Sequence, residues 1–250
     1  VRYASVASIA PVIVLAGGGF FHGDARVVVW VVAGFVNLVG ALRASSSEWV
    51  VDPVHFSERH SLFVIISLGE VLVAAGGSAS EIGLDWLTAC AIAVSVGVAC
   101  ALWWAYFAFI PAVGEHVLAR TSGVERGAYA RDLFTFGHFP LVFGVILYAV
   151  VVKHLVPEPD GRLAVDDRWL LALSVVCFVG GLMSFQFRVI RHAVPERIIA
   201  IAVAIAISVL GRYIPGLVVV ALIAVLLSVM QAITWRRFRA GALAELTPNL

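Results

Sequence analysis

Long apolar stretches separated by short polar segments run along the whole chain and predict membrane-spanning helices. A helix that crosses the bilayer needs about 20 predominantly apolar residues, because the hydrocarbon core is about 30 Å thick. Eight stretches approach that length and are predicted as spans: residues 4–21, 27–42, 61–76, 85–110, 133–152, 169–187, 197–211 and 214–234. The connecting segments are too short to fold alone, so residues 1–250 are interpreted as one all-α transmembrane helix bundle.

The composition agrees with a membrane protein and narrows the classes of function. Hydrophobic residues make up 62% and charged residues 13% of the chain, against about 45–50% and 25% in soluble domains. The net charge of +1 and the absence of a basic block exclude nucleic acid as a partner. Neither the cysteine positions nor any motif of metal, nucleotide or hydrolase chemistry predicts an enzyme, a metal site or a cofactor. The predicted partners are the lipid bilayer and a small solute or ion of unknown identity, and a homo-oligomer is left open.

Basic residues are unequally divided between the two sides of the predicted bundle. One side carries 12 arginines, from Arg2 to Arg239, and the other carries 5 basic residues: Arg26, Lys153, Arg162, Arg168 and Arg212. Short loops rich in arginine and lysine remain in the cytoplasm. The sequence therefore predicts a multi-pass protein of the bacterial inner membrane with both ends of this chain in the cytoplasm.

The third predicted span contains a carboxylate at membrane depth. Asp52 followed by Pro53 is typical of a helix start, and the 24 residues from Pro53 to Gly76 extend about 36 Å as a helix. Glu70 then lies near the middle of the span. A charge there costs about 2.5–3.5 kcal/mol on insertion scales and usually serves a function. The alternative is a protonated Glu70 that hydrogen-bonds a neighbouring helix and stabilises the bundle.

Other polar residues are candidates for the same site. Arg59 is eleven positions before Glu70, which places both on one face of the helix, with His55 close to that face. Glu58 and Arg59 form a candidate cytoplasmic gate or orienting pair, and adjacent side chains point apart, so we expect them to contact other helices.

His138 is the first candidate partner of Glu70. It lies five residues into the fifth predicted span, and Pro140 loosens the helix backbone there. A histidine at this depth either relays protons or makes an ordinary helix contact, and both interpretations stay open. Asn37 and Tyr106 are further polar groups at membrane depth, of a kind that more often joins helices than binds a ligand.

The segment HFSERHSLFVIISLGE, residues 55–70, resembles the bacterial low temperature requirement protein A family. The family pattern is His-Phe-x-Glu-Arg-Phe-Gly followed by an apolar run that ends in Ile-Ile-Ala-Leu-Gly-Glu. The matching positions are His55, Phe56, Glu58, Arg59, Ile65, Ile66, Leu68, Gly69 and Glu70. LWWAYFAF at 102–109 and HFPLVFG at 138–144 resemble two further family motifs in the same order.

The chain also departs from this family pattern. The family has Phe-Gly where this chain has His60 and Ser61, an Asp where it has Ala108, and a Glu where it has Lys153. If the missing acids belong to a proton or ion path in the family, this chain has a reduced or altered one. The resemblance further implies an additional N-terminal bundle in longer members, so we expect this sequence to be a fragment. The family name refers to growth at low temperature, and the resemblance implies no substrate or reaction.

Two functional hypotheses follow from these observations. In the first, the protein transports or conducts a small solute or ion, with proton linkage through Glu70 and with His138 as its partner. In the second, it is a non-transporting structural or assembly protein of the membrane, involved in cold or stress adaptation, and its polar residues join helices. An intramembrane enzyme has the least support.

Overall fold

The computed structural model describes residues 12–43, 52–191 and 194–239, and nearly all of them are helical. No β-strand occurs in these ranges, so the predicted all-α fold is confirmed. The helices are α1 Asp24–Arg43, α2 Pro53–Ile82, α3 Trp86–Phe107, α4 Ile110–Arg120, α5 Gly123–Tyr129, α6 Gly137–Leu155, α7 Val165–Ile190, α8 Pro195–Leu210 and α9 Gly216–Arg239. A π-helix, Ala130–Phe136, precedes α6, and a 3₁₀ turn, Gly211–Tyr213, follows α8.

Five helical stretches of the described chain are long and apolar enough to cross a membrane. They are Pro53–Ile82, Trp86–Arg120, Gly123–Leu155, Val165–Val189 and Gly216–Arg237. The predicted count of eight spans is not confirmed. Helix α8 coincides with the predicted span 197–211 but has only 16 residues. Helix α1 coincides with the predicted span 27–42 but is not one of the five stretches. The predicted span 4–21 lies largely outside the described residues, although 12–18 are helical.

The chain divides into two compact units. The first comprises residues 1–50 and 121–131, and the second comprises 51–120 and 132–250. In the first unit the helix at 12–18 and α1 form a hairpin, in which the indole nitrogen of Trp30 donates to the carbonyl of Leu15 at 3.2 Å. Gly23 has φ of +58° at the turn, a conformation that glycine adopts without steric cost. The interpretation of 1–250 as a single domain stays a prediction.

Six helices of the second unit form a closed ring of contacts. Helix α2 packs on α6, α6 on α7, α7 on α8, α8 on α9, α9 on α3, and α3 on α2. The α6–α7 interface is the most extensive. Its close approach depends on Gly144, because a Cβ atom there would lie 2.6 Å from the carbonyl oxygen of Ser174 and 2.8 Å from the amide nitrogen of Phe178. Small residues at such crossings bring helix backbones together in membranes.

Local sequence signals set the ends of the helices around the site. The Asp52 side chain accepts from the amide of His55 at 3.0 Å, and Pro53 is the first helical residue, so the predicted start of α2 is confirmed. The helix continues past the predicted end to Ile82 and stops at Gly83, which has φ of +88°. Asp85 then begins α3 by accepting from the amide of Thr88 at 2.7 Å, and this hydrogen bond lowers the pKa of the Asp85 carboxyl.

Helix α2 buries four of its serines and exposes several of its large apolar residues. Its buried side chains include four serines, together with Val64, Leu68 and Val71, whereas Leu62, Phe63 and Ile66 are exposed. This arrangement is the reverse of a soluble helix. It is expected in a bilayer, where lipid tails are as apolar as leucine and small or polar side chains favour helix contacts.

Candidate functional site

A chain of three hydrogen-bonding side chains crosses the interior of the second unit. Ser61 of α2, Tyr106 of α3 and His138 of α6 form what we call the buried polar chain. The Ser61 Oγ lies 3.3 Å from the Tyr106 hydroxyl oxygen, which lies 2.7 Å from Nε2 of His138. The exposed fractions are 8%, 0% and 4% respectively. Three helices thus meet through one polar network.

The Leu133 carbonyl at the end of the buried polar chain sets the direction of each hydrogen bond in it. Nδ1 of His138 lies 3.0 Å from the carbonyl oxygen of Leu133, which can only accept. Nδ1 therefore carries the proton, and in a neutral imidazole Nε2 is then an acceptor. Tyr106 must donate to Nε2, and Ser61 must donate to the Tyr106 oxygen. The Tyr106 hydroxyl and both ring nitrogens of His138 are therefore satisfied by protein groups.

The backbone around His138 is irregular and helps to place its ring. The π-helix Ala130–Phe136 immediately precedes α6 and provides the Leu133 carbonyl that His138 binds. Pro140 lies inside α6 and has no amide hydrogen to donate to the preceding turn. Single π-helical turns are rare and occur frequently at functional sites. The sequence predicted a loosened backbone at Pro140 but not the π-helix.

Aromatic rings enclose the histidine end of the chain. Phe134 stacks on His138 with centroids 5.3 Å apart and an interplanar angle of 8°, and Phe56 packs edge-on against Phe134. The half-buried His60 ring lies 5.2 Å from the His138 ring, and its Nδ1 is 2.8 Å from the carbonyl oxygen of Phe56. Two histidines therefore lie side by side at one end of the buried polar chain.

This arrangement has two consistent hydrogen-bonding states. In the neutral state the protons point from Ser61 through Tyr106 towards His138. If His138 gains a proton, Nε2 becomes a donor, Tyr106 must accept from it, and the Tyr106 hydroxyl can then donate to Ser61. One protonation event at the ring thus reverses two hydrogen bonds across three helices.

Glu70 lies on the exposed face of α2 and not in this network. It is at the eighteenth position of the 30-residue helix, so its predicted position near the middle of a span is correct. Within the described part of the chain, Glu70 has no hydrogen-bond or ion-pair partner. The structure therefore presents a carboxylate at membrane depth on the outside of the second unit.

The expected pairing of Glu70 with His138 is not found. Both ring nitrogens of His138 are occupied, by Tyr106 and by the Leu133 carbonyl. The geometry of α2 explains the separation: Ser61 and Glu70 are nine residues apart, which is half a turn in azimuth and about 13.5 Å along the axis. Glu70 thus points away from the helix face that carries Ser61.

The three predicted residues at the start of α2 are all exposed. His55 Nδ1 lies 3.2 Å from Glu58 Oε2, one turn further along the same helix, so the contact of Glu58 is within α2, and the expected contact with another helix is not found among the described residues. Arg59 has no ion pair with any described residue. Asn37 is an exposed residue of α1, in the first unit.

The sequence analysis named His138 and Tyr106 but missed the two residues of α2 that complete the site. Ser61 and His60 stand where the family pattern has Gly and Phe, and they were noted only as departures. Those departures were the available signal, because they introduce a hydroxyl and an imidazole on the helix face that Tyr106 and His138 contact.

Comparison with known proteins establishes the family. The model of the family described as Bacterial low temperature requirement A protein (LtrA) matches residues 1–232. An uncharacterized protein of Rhizobium meliloti (strain 1021) is 32% identical over 146 residues, which are 53% of this chain and 34% of the relative. This chain therefore covers about a third of that relative's length. No solved structure matches the chain. The chain therefore belongs to the bacterial low temperature requirement A family, and its membrane-spanning helices make it a multi-pass integral membrane protein.

Proposed function

We propose that this protein moves a small solute or ion across the bacterial inner membrane, with proton linkage through the buried polar chain. The observation that carries the proposal is the 2.7 Å contact between the Tyr106 hydroxyl and His138 Nε2 inside a helix bundle. Ionisable groups in the interior of membrane proteins are expensive to place and often mark ion or proton pathways. The proposal shifts the proton-linked role from Glu70 to His138.

The two hydrogen-bonding states of the chain supply the coupling. Because Ser61, Tyr106 and His138 belong to α2, α3 and α6, reversal of their hydrogen bonds changes which helix donates and which accepts at two contacts. Such a change biases the relative stability of two helix arrangements, and a proton is then the ligand that shifts the equilibrium. Alternating access in transporters is largely movement of helix groups around a fixed site.

The uneven distribution of basic residues supports an orientation for this process. The count of 12 basic residues on one predicted side and 5 on the other favours a cytoplasmic position for both ends of this chain. His138 is the sixteenth residue of the 33-residue candidate span Gly123–Leu155, so the buried polar chain lies near the middle of that span. Protons would reach it from the cytoplasm past the half-buried His60.

Reconstitution of the purified protein into liposomes tests the proposal. A pH-sensitive dye trapped inside reports proton movement after a K⁺, Na⁺ or Cl⁻ gradient is imposed. We expect faster internal pH change with the protein than in empty liposomes, and loss of the difference in His138→Gln. Tyr148→Phe is the matched control, because Tyr148 is an equally buried tyrosine that donates to the Ser95 carbonyl outside the polar chain. Equal rates in the wild type and His138→Gln would refute the role of His138.

The exposure of Glu70 favours a second candidate function, that of a structural or assembly protein in cold or stress adaptation. A carboxylate that faces lipid at the bilayer centre is costly, and contact with a transmembrane segment of another molecule would remove that cost. In this interpretation Glu70 binds a neighbouring transmembrane helix, a second copy of the chain included. Growth of a deletion strain at low temperature, restored by the wild type and by His138→Gln but not by Glu70→Leu, would favour assembly over transport.

A further inference from the structure

A cavity lies between the start of α7 and the end of α8, at the opposite end of the bundle from the buried polar chain. Its volume is about 210 Å³. The residues that line it are Val165, Arg168, Trp169, Ser208, Val209 and Arg212. Val165 and Trp169 are more than half exposed, so the cavity opens to the surface of the bundle. It is unrelated to the site proposed above.

Two buried polar atoms at this cavity have no partner within the described residues. The Ser208 side chain is 1% exposed, and its Oγ makes no hydrogen bond. The Nε of Arg168 is also buried without a partner, although its Nη1 donates to the Val209 carbonyl at 3.3 Å. An unsatisfied buried donor costs about 1–3 kcal/mol. The cavity therefore contains two hydrogen-bond donors that lack an acceptor.

The residues that line the cavity include two arginines and no carboxylate. Arg212 stacks on the ring of Tyr213 at 4.4 Å and donates to its hydroxyl, and neither lining arginine forms an ion pair with a described carboxylate. Asp167, close to Arg168 in sequence, does not line the cavity and is occupied by His154, whose Nδ1 lies 2.6 Å from its Oδ1. Two arginines and a hydroxyl thus converge without a negative charge.

We propose that this cavity binds the phosphate group of an anionic phospholipid or free phosphate. Guanidinium groups match phosphate oxygens through paired hydrogen bonds, and a hydroxyl donor from Ser208 would fill a third position. The ligand would supply acceptors for both unpartnered donors. The exposed Trp169 at the rim is typical of the membrane–water interface.

Lipid retention by the purified protein tests this site. The full chain in detergent is incubated with equal amounts of phosphatidylglycerol and phosphatidylcholine, and bound lipid is counted by native mass spectrometry. We expect preferential retention of phosphatidylglycerol, reduced about fivefold in Arg212→Gln and reduced also in Ser208→Ala. Arg162→Gln is the matched control, because Arg162 is an exposed arginine close by in sequence that does not line the cavity.

The remaining measurements separate the two sources of phosphate. Inorganic phosphate that displaces phosphatidylglycerol, and raises the thermal stability of the wild type but not of Arg212→Gln, would assign the site to free phosphate. Failure to displace the lipid would assign it to a head group. Arg212 is exposed, so its replacement leaves the fold intact, as circular dichroism checks. Equal retention of phosphatidylglycerol by the wild type, Arg212→Gln and Arg162→Gln, without phosphate binding, would overturn the proposal.

Discussion

The Tyr106 hydroxyl lies 2.7 Å from Nε2 of His138, and neither atom has solvent as an alternative partner. The two side chains come from α3 and α6, which otherwise contact each other little because α2 connects them in the ring. The polar contact therefore joins two helices that apolar packing holds apart. Loss of either side chain leaves the buried polar atom of the other without this hydrogen-bond partner.

Tyr106→Phe should separate the functional role of this contact from its structural role. The change removes the hydroxyl and leaves the Ser61 and His138 polar atoms without their partner, so we expect a loss of about 1–2 kcal/mol in the free energy of unfolding. Tyr148→Phe removes a comparable buried hydroxyl and should lower stability by a similar amount. Proton-linked activity should be lost only in Tyr106→Phe. Equal activity of the two variants in the liposome assay would argue that the polar chain is structural.

Gly144→Ala should destabilise the α6–α7 interface. The new methyl group would meet the backbone of Ser174 and Phe178 at distances below 3 Å, and backbone atoms cannot move aside easily. Overpacking of this kind costs about 1–3 kcal/mol, measured as a lower midpoint of thermal unfolding in detergent. Gly69→Ala is the control, because the space around Gly69 is open. Replacement there should leave stability unchanged or raise it by about 0.5–1 kcal/mol. An unaffected Gly144→Ala variant would contradict the close helix approach.

Glu70→Leu tests what covers the exposed carboxylate. In the isolated second unit the Glu70 side chain has no partner, so its replacement by leucine should not lower the stability of the monomer in detergent. If a transmembrane segment of another molecule binds Glu70, the same change should weaken that association by about 1–2 kcal/mol, seen as a shift towards monomer in cross-linking or single-molecule photobleaching. Glu70→Gln retains most hydrogen bonds and should preserve association. A destabilised Glu70→Leu monomer would show that the carboxylate packs within its own chain.

The orientation of the chain can be checked by reporter fusion. Because basic residues are 12 on one predicted side and 5 on the other, a reporter attached after Arg239 should be active if it functions in the cytoplasm and inactive if it needs the periplasm. A fusion within residues 156–164, which connect α6 to α7, should behave in the opposite way. The same activity from both fusions would mean an even number of membrane crossings between them and would contradict a crossing by each of α7, α8 and α9.

The sequence predicted the helical fold and some details of α2, and failed where the choice of helix face decides the result. Asp52 and Pro53 predicted the start of α2 because capping is a local interaction. The position of Glu70 along α2 could be predicted, since it is only a count of residues from the helix start. Its direction could not be predicted, because α2 is apolar on both sides and a lipid-facing surface is no less hydrophobic than the interior. The serines of α2 marked the inner face, and Ser61 was among them.

The partners of His138 were beyond the reach of the sequence for a different reason. Its contacts with Tyr106 and the Leu133 carbonyl depend on the π-helix Ala130–Phe136 and on how α3 and α6 are arranged in space. No local pattern specifies either. The cavity beside Arg168 could not be predicted from the sequence either. Its two unpartnered donors, on Arg168 and Ser208, come from segments about 40 residues apart.

The closed ring of helices has a consequence for the order in which the protein is made. Helix α9 completes the ring by packing on α3, but about 110 residues separate the end of α3 from the start of α9. At about 5–20 residues per second, the ribosome needs roughly 5–20 s to synthesise that interval. During this time α3 resides in the bilayer with one flank unpartnered, and its neighbours there are lipids or the insertion machinery. Biogenesis therefore depends on protecting this early helix until the last one enters the membrane.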